Sequence, residues 1–386
     1  MPEQTSSIIS KVWGMCNPLR DDGLSYGDYL EQLTYLIFLK MSDEYAKPPY
    51  KKESGIPAGY TWQELNTLTG ALEEQYKDTL EKLGEQGGIL GQIFKGAINK
   101  VSNAAILYRI VQMIDREKWV SMSSDVKGEI YEGLLQKNAE DIKSGAGQYF
   151  TPRPLIHAMV KCIRPEPMKT IADPCCGSGG FFLASQSFVA DPENYSLDRE
   201  QKEFLKNETF YGNEIVSSTY KTALMNLYLH NIGDIYGNVP ITLGDALLTD
   251  PGYRVDYVLT NPPFGSTITK AEKPYLANYE LGKTKDAKGK YKDRPRQSSE
   301  ILFIERIWEF LKPGTGKAAI VLPDGVLTNS SAQYVRDFIL EKFQLLAVVS
   351  LPQCAFAHFG AGVKASVIFV RKRKDSEKPN GDEAIF

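Results

Sequence analysis

The fold is decided by the stretch Val255-Asp-Tyr-Val-Leu-Thr-Asn-Pro-Pro-Phe264. Its first six residues have the length and composition of a buried strand. Two prolines follow, and prolines cannot continue a sheet because they lack an N–H and have a fixed φ. The chain must therefore leave the carboxyl end of a strand in a rigid turn over residues 261–264.

This turn has the groups that an amino-bearing ring needs. The Asn261 amide and the Pro262 carbonyl are expected to point the same way, with the ring of Phe264 nearby. Two acceptors and an aromatic face suit an exocyclic amino group on a flat ring. The alternative is an ordinary proline-rich turn after a strand, and the tetrapeptide alone leaves both interpretations open.

Around this stretch, short β-rich runs alternate with helical stretches. The alternation predicts an α/β fold with a parallel-rich sheet and helices on both faces, in which a ligand lies at the carboxyl ends of the strands. The predicted strands are 170–172, 209–211, 239–243, 255–260, 318–322, 346–351 and 366–370. The predicted helices of this part are 180–189, 219–230, 300–311 and 332–342.

The first 140 residues are predicted to form an all-helical domain. Ser25 and Asp28 have the spacing of a helix-capping pair. Apolar residues at helical spacing follow, namely Leu30, Leu33, Ile37 and Met41, and such a stripe is typical of a core face. Residues 104–114 and 126–135 have similar patterns.

Composition and charge limit the class of protein. A chain of 386 residues with 42% apolar and 24% charged residues predicts two or three globular domains. No run approaches 18 apolar residues and no secretory signal is apparent, so a membrane span is not expected. Five irregularly spaced cysteines predict neither a zinc site nor a disulfide framework, and they favour a cytoplasmic location.

One segment departs from the net charge of −3. From Lys270 to Arg296 the chain has nine Lys and Arg against four acids, with three tyrosines among them. A solvated loop is one interpretation, and a phosphate-contacting loop beside the site is the other.

A glycine loop follows the first predicted strand, in Asp173-Pro-Cys-Cys-Gly-Ser-Gly-Gly-Phe181. Bunched glycines let a ligand approach the backbone, but the spacing does not match the dinucleotide fingerprint. An acid at the strand end would repel a pyrophosphate and suit a cation such as a sulfonium. Glu214 and Asp245 end the next two strands, where they could accept ribose hydroxyls and an adenine amino group, respectively.

At this point the sequence resembles a known family. The motifs are Gly147-Gln-Tyr-Phe-Thr-Pro152, Asp173–Phe181, Gly212-Asn-Glu214 and Asn261–Phe264. They are similar to those of S-adenosylmethionine-dependent amino-DNA methyltransferases, and above all to the modification subunit of type I restriction-modification systems. Residues 24–44 and 322–327 extend the resemblance to nearly the whole chain.

The resemblance implies a Rossmann-like methyltransferase sheet after a helical N-terminal domain, and it implies methyl transfer from S-adenosyl-L-methionine to N6 of adenine in duplex DNA. It implies that the target base is held by Asn261, Pro262, Pro263 and Phe264. It implies a cofactor site made of Gln148, Tyr149, Phe150, Thr151, Pro152, Arg153, Asp173, Gly177, Ser178, Gly179, Gly180, Glu214 and Asp245. No metal-binding residue is predicted.

Expected partners are duplex DNA, a specificity subunit, a second modification subunit and a restriction subunit, with protection of host DNA as the role. Expected domains are 1–140 and 141–375, with 376–386 opening a further region.

Methylation of cytosine N4 or of a protein glutamine is the alternative, because both present a planar amino group. Methylation of cytosine C5 needs a cysteine nucleophile, and Pro174-Cys175 lies where the cofactor is expected. Cys175 and Cys176 replace smaller residues of the family, which predicts tighter packing.

Overall fold

The computed structural model describes residues 2–21, 23–67, 70–120, 151–234, 237–248, 250–285, 290–356 and 363–379. The chain forms two compact units, Met1–Lys143 with Ser218–Val239, and Ser144–Ser217 with Pro240–Phe386. The predicted helix 126–135 lies outside the described residues, as do Gln148, Tyr149 and Phe150 of the predicted site. The predicted domain boundaries at 140 and 375 stay a prediction.

The first unit is helical, as the N-terminal pattern predicts. Its helices are Pro2–Asp21, Tyr26–Ala46, Trp62–Thr67, Leu72–Gly84, Gly88–Phe94, Ala104–Asp115 and Ser217–Leu229. Ser25 caps the second helix by accepting a hydrogen bond from the Asp28 N–H. The predicted stripe Leu30, Leu33, Ile37 and Met41 is buried.

The last of these helices joins the first unit through polar and aromatic contacts. Lys221 Nζ donates to the Tyr35 hydroxyl at 2.9 Å, and the Tyr228 hydroxyl donates to the Ser54 carbonyl at 2.7 Å. The Tyr228 ring also packs on Phe38, with centroids 5.2 Å apart. A segment flanked by two strands of the second unit is therefore part of the helical unit.

The second unit is built on a seven-stranded sheet. The strands are β1 Ile171–Asp173, β2 Phe210–Glu214, β3 Ile241–Leu243, β4 Tyr257–Thr260, β9 Lys317–Pro323, β10 Phe343–Ser350 and β11 Ala365–Lys372. Their order in the sheet is β10-β11-β9-β4-β1-β2-β3. β3, β2, β1, β4 and β9 are parallel, whereas β11 is antiparallel to both of its neighbours. The seven predicted strands and the parallel-rich α/β fold are confirmed.

Both faces of this sheet are covered. Successive residues of β1 and β4 point to opposite faces, and all of them are buried. The helices of this unit are Arg153–Ile163, Gly180–Ala190, Arg199–Asn207, Ser299–Phe310, Asp324–Thr328 and Gln333–Lys342. Within the described ranges, no helix is long and apolar enough to cross a membrane.

The order of the strands places a crevice beside β1. The chain builds β1, β2 and β3 towards one side, then returns to β4 on the other side of β1. Such a reversal is the point where open α/β sheets bind ligands, at the carboxyl ends of the strands. Asp173 ends β1 and Asn261 follows β4, so both lie at this reversal.

A folded insert lies between β4 and the helix Ser299–Phe310. It contains β5 Thr267–Thr269 paired with β8 Arg296–Ser298, and β6 Lys283–Lys285 paired with β7 Tyr291–Asp293. A 3-10 helix, Pro274–Asn278, lies between β5 and β6. Both interpretations of residues 270–296 assume a loop, and that part of them is wrong for the described residues, which form short paired strands and a 3-10 helix.

Candidate active site

The Asn261 side chain is oriented by one hydrogen bond. Its Nδ2 donates to the Thr151 hydroxyl at 3.1 Å, 110 residues earlier in the chain. Its Oδ1 is buried without a hydrogen-bond partner among the described residues. A buried carbonyl oxygen without a donor costs free energy, so the turn keeps an acceptor ready for an N–H donor.

The rest of the turn is packed more tightly than the sequence suggests. Phe264 is only 7% exposed, and its ring meets Phe356 edge-on with centroids 6.2 Å apart. The Pro263 carbonyl accepts a hydrogen bond from the Ser299 hydroxyl at 2.9 Å. The ring of Phe264 thus lies near Asn261, but most of its surface is already covered.

Ser299 and Glu300 support the turn, and sequence reasoning does not identify them. Ser299 N–H also donates to the Ser266 carbonyl at 2.9 Å. Glu300 is buried, which raises the pKa of its carboxyl, while N–H groups including that of Gly265 act against the rise. Gly265 has φ +74°, a conformation that favours glycine. The sequence feature that could have identified these two residues is a serine followed by an acid at the start of a helix.

The glycine loop leaves its backbone open. Gly177 and Gly179 have φ of +52° and +83°, and a Cβ at Gly177 would meet nothing within 4 Å. The loop is fixed to β2, because the Cys176 N–H donates to the Asn213 carbonyl at 3.0 Å. Ser178 is buried and Gly180 begins the next helix. The loop therefore has the conformation and the space for a ligand against its backbone.

The two cysteines of the loop serve packing. Cys176 is buried, and its Sγ lies 3.2 Å from the place that a Cβ at Gly212 would occupy. Burial, followed by the nearby acid Asp173, raises the pKa of both the Cys175 and Cys176 thiols well above the usual value. A protonated thiol is a poor nucleophile, which argues against a cysteine mechanism here.

Asp173 is buried with few donors around it. Its Oδ1 accepts the Cys175 N–H at 3.0 Å. Burial raises its pKa to about 7, and the neighbouring acid Glu214 adds to the rise. A cation that binds beside Asp173 would lower this pKa and favour the ionised carboxylate.

Glu214 ends β2 next to the loop. Its Oε1 accepts the Val216 N–H at 2.8 Å. Burial raises its pKa, while N–H groups of Val216, Ile215 and Gly177 act against the rise. The Glu214 carbonyl also accepts the Gly244 N–H at 2.9 Å, which ties the end of β2 to the segment after β3.

Asp245 already has hydrogen-bond partners within the chain. Its Oδ2 accepts from both Lys273 Nζ and the Tyr275 hydroxyl at 2.7 Å, and its Oδ1 accepts the Leu247 N–H at 3.0 Å. Burial acts to raise the pKa of Asp245, but the bonds from Lys273 and Tyr275 outweigh it and lower that pKa. Both carboxylate oxygens are thus in use, and an adenine amino group would have to compete for them.

Apolar side chains are exposed beside these acids, which the sequence does not single out. Ile215 is 59% and Leu243 46% exposed, one directly after Glu214 and the other at the end of β3. Exposed apolar groups at a sheet edge that faces a crevice suit the faces of a flat ring.

The predicted site residues are therefore brought together at one edge of the sheet where they are described. Asp173, the glycine loop, Glu214 and Asp245 form one row, and Asn261 with Thr151 lies at its β4 end. Pro152 precedes the helix that Arg153 begins. Within the described ranges no group of three or more His, Cys, Asp or Glu residues is placed to hold a metal ion.

Known proteins are similar to this chain over nearly its whole length. The N-6 DNA Methylase family matches residues 122–385, and the HsdM N-terminal domain matches residues 8–114. The type I restriction enzyme StySPI methylase subunit of Salmonella potsdam is 33% identical, covering 98% of this chain and 69% of its own length. The EcoKI methylase subunit of Escherichia coli strain K12 is also 33% identical, with the same shares of 98% and 69%.

Solved structures share the fold. A modification subunit of a putative type I restriction enzyme from Vibrio vulnificus YJ016 has a TM-score of 0.77 at 24% identity, over 99% of this chain and 86% of that one. The type I restriction-modification methyltransferase subunit from Streptococcus thermophilus has a TM-score of 0.72 at 20% identity, over 96% and 85% of the two chains.

The sheet and the site define a methyltransferase of the doubly wound α/β class. The chain belongs to the N-6 DNA methylase family, as a member of the type I restriction enzyme methylase subunits. The predictions of the fold class, the family and an adenine-specific DNA methyltransferase are confirmed. The family also implies S-adenosylmethionine as the methyl donor.

Proposed function

We propose that this chain transfers a methyl group from S-adenosyl-L-methionine to N6 of an adenine in duplex DNA, with the reacting base held at Asn261. The observation that supports this most directly is the buried Oδ1 of Asn261, which lacks a partner among the described residues. An adenine amino group is the N–H donor that this oxygen needs.

The amino group of adenine is a weak nucleophile, since its lone pair is conjugated to the ring. A hydrogen bond accepted by Asn261 Oδ1 favours a pyramidal nitrogen and returns the lone pair to it. The Thr151 hydroxyl keeps Nδ2 turned away, so that Oδ1 faces the amine. A fixed dipole of this kind stabilises the charge that develops during attack without reorganisation.

The cofactor residues fit a cationic nucleoside. The open glycine loop at residues 177–180 accommodates close approach, Asp173 faces the positive end and Glu214 accepts ribose hydroxyls. Ile215 and Leu243 would pack on the adenine ring. When bound, the cofactor supplies an electrophilic methyl group on sulfur. Pro152, Arg153 and the motif residues before them are proposed to bind it as well.

The target base must leave the duplex to reach this crevice. Pro262 and Pro263 keep the turn rigid, and Phe264 contributes the part of its ring that Phe356 leaves uncovered. No strong general base is required, because the amine proton can leave to solvent after transfer.

The relatives are named as subunits of restriction enzymes, so assembly is part of the proposal. We propose that a specificity subunit selects the DNA sequence, with a second copy of this chain and a restriction subunit completing the complex. Protection of host DNA and the cytoplasmic location predicted from cysteine usage belong to the same proposal.

The test is transfer of radiolabelled methyl from S-adenosylmethionine to unmethylated genomic DNA of the host, with and without the cognate specificity subunit. After digestion to nucleosides, we expect label in N6-methyladenine only when the partner is present. Label in N4-methylcytosine, or in a protein and not in DNA, would overturn the proposal.

A further inference from the structure

The insert between the catalytic turn and the helix Ser299–Phe310 has two parts with different environments. Its stem, residues 265–282 with 294–298, is anchored to the body of the second unit. Its hairpin pairs strands β6 and β7, and all of β7 is exposed.

The stem is fixed by buried polar contacts. The Tyr279 hydroxyl donates to the Leu247 carbonyl at 2.6 Å and accepts from Arg306 Nε at 2.9 Å. Glu305 accepts the N–H groups of Glu280 and Leu281, each at 2.8 Å. Multiple bonds of this kind give the hairpin a rigid base.

The stem and the residue that follows it touch the site at two places. Ser299, where β8 ends and the helix begins, donates to the Pro263 carbonyl of the turn. Lys273 donates to Asp245 at 2.7 Å. The hairpin is therefore attached at the edge of the sheet where the carboxyl ends of β1 and β4 meet, which is the edge that DNA must approach.

Strand β7 contributes nothing to a core. All three residues of β7 are exposed, and the Tyr291 side chain is 60% exposed. In its register Lys283 lies opposite Asp293, and Thr284 opposite Lys292, so the two faces are both polar. A two-stranded hairpin without an apolar face is not stable by itself, so this hairpin depends on the stem, to which the pair of Lys270 and Asp293 ties it.

The positive charge of the insert indicates what kind of partner it binds. The segment from Lys270 to Arg296 has nine basic and four acidic residues in a chain whose net charge is −3. Arg294 stacks on Tyr334 at 4.2 Å and Lys270 pairs with Asp293, and both lie near the base of the hairpin. The chain as a whole repels a polyanion, so a local basic element at this edge is where phosphates would be met.

We propose that strands β6 and β7 bind the phosphate backbone of DNA beside the base that is being methylated. This inference rests on the proposed function and adds the surface that holds the substrate. Lys283, Lys290 and Lys292 contact phosphates, and Tyr291 packs on the adjoining sugar or on a base unstacked by flipping.

The test compares two triple variants in the full complex with its specificity subunit. One carries Lys283→Gln, Lys290→Gln and Lys292→Gln. The control carries Lys161→Gln, Lys202→Gln and Lys206→Gln, on helices that lead into β1 and β2 and so reach the opposite edge of the sheet. Both triples remove three positive charges. DNA affinity is measured from about 0.05 to 0.2 M salt, a range over which several phosphate contacts change binding strongly.

For the hairpin triple we expect the slope of log K against log salt to become shallower by about 0.9 for each phosphate that is no longer neutralised. The Michaelis constant for DNA should rise while the affinity for S-adenosylmethionine and the thermal unfolding stay as in the unchanged complex. The control triple should keep the original slope.

Equal slopes for the two triples would overturn the proposal, whether both keep the original value or both become shallower together. Release of the specificity subunit from the hairpin triple in gel filtration would also overturn it, in favour of a protein interface. Since the unchanged complex is assayed in parallel, its failure to methylate DNA would count against the proposed function instead.

Discussion

A buried acid lies before strand β4, and another lies at the end of the neighbouring strand β1. The pKa values of these two acids are shifted in opposite directions. Asp256, before β4, accepts from Lys312 Nζ at 2.7 Å and from the N–H and hydroxyl of Thr170, each at 3.0 Å. Burial acts to raise the pKa of Asp256, but these bonds outweigh it and lower that pKa. Asp173, at the end of β1, has fewer donors, and burial raises its pKa to about 7, although hydrogen bonds from Thr260 and the Cys175 N–H act against the rise.

The difference separates residues that stabilise the fold from residues kept for a ligand. A buried acid with a full set of donors lowers the free energy of the folded state. A buried acid or amide with too few donors costs free energy until something binds it. By this criterion Asp256 at the amino edge is structural, whereas Asp173 and Asn261 at the carboxyl edge are the groups kept for a ligand.

The largest effect is expected from Asn261→Ala at the carboxyl edge. Methyl transfer should fall by about 100-fold or more, which is the effect of removing one donor or acceptor from a preorganised site. The affinity for S-adenosylmethionine, measured by calorimetry, should stay within about twofold.

A matched control is Asn207→Ala. Asn207 also has a buried Oδ1 without a partner in the described chain, but it lies where the helix Arg199–Asn207 leads into the start of β2. Similar decreases of methyl transfer in both variants would show that Asn261 has no special role.

At the amino edge, Asp256→Asn should lower the free energy of unfolding by roughly 2 kcal/mol, because hydrogen bonds between a carboxylate and its donors are removed. The folded pKa of Asp256 lies below its ordinary value of 3.8, so its stabilisation is complete above that pH and disappears as the pH falls through the lowered pKa. Urea unfolding should therefore separate the variant from the unchanged chain at pH 7, and the difference should disappear as the pH falls through the lowered pKa of Asp256. A change in cofactor affinity at pH 7 would contradict the assignment.

Asp173→Asn should act on ligand binding instead. The pKa of Asp173 is about 7 in the folded chain. Between about pH 4 and pH 7 the folded chain therefore keeps a proton that the unfolded chain has lost, and the free energy of unfolding decreases as the pH rises through this range. Binding of a cation favours the ionised form, and affinity for S-adenosylmethionine should rise about tenfold between pH 6 and pH 8. The variant should bind weakly with a flat pH profile, whereas Asp256→Asn should keep the rise. Glu214 faces the same site and its pKa is also raised, so a residual slope in Asp173→Asn would be traced with Glu214→Gln.

The smallest effect is expected from Thr151→Val, which removes the hydroxyl that accepts from Asn261 Nδ2. Removal of one neutral hydrogen bond should lower kcat by about 2- to 10-fold, and Thr151→Ser should restore it. If the variant instead weakens cofactor binding and leaves kcat unchanged, Thr151 serves the cofactor, as the sequence motif predicts.

Much of the fold can be predicted because its signals are local. Apolar runs identify the strands, and the acids Asp173, Glu214 and Asp245 follow directly after those runs. The hydrogen bond between Thr151 and Asn261 spans 110 residues, and no periodicity encodes it. The bonds of Lys273 and Tyr275 to Asp245 could not be predicted either, because both residues come from an insert whose local sequence pattern is that of a loop.

The helix Ser217–Leu229 has a consequence for biosynthesis. The helical unit consists of Met1–Lys143 and Ser218–Val239, so it stays incomplete until residue 239 has left the ribosome. At about 5–20 residues per second, the first 143 residues wait several seconds for Lys221 and Tyr228, while β1 and β2 are made in between. The protein therefore cannot finish one unit before it starts the other, and a nascent chain stalled between residues 143 and 218 would leave Tyr35 and Phe38 without the helix that packs on them.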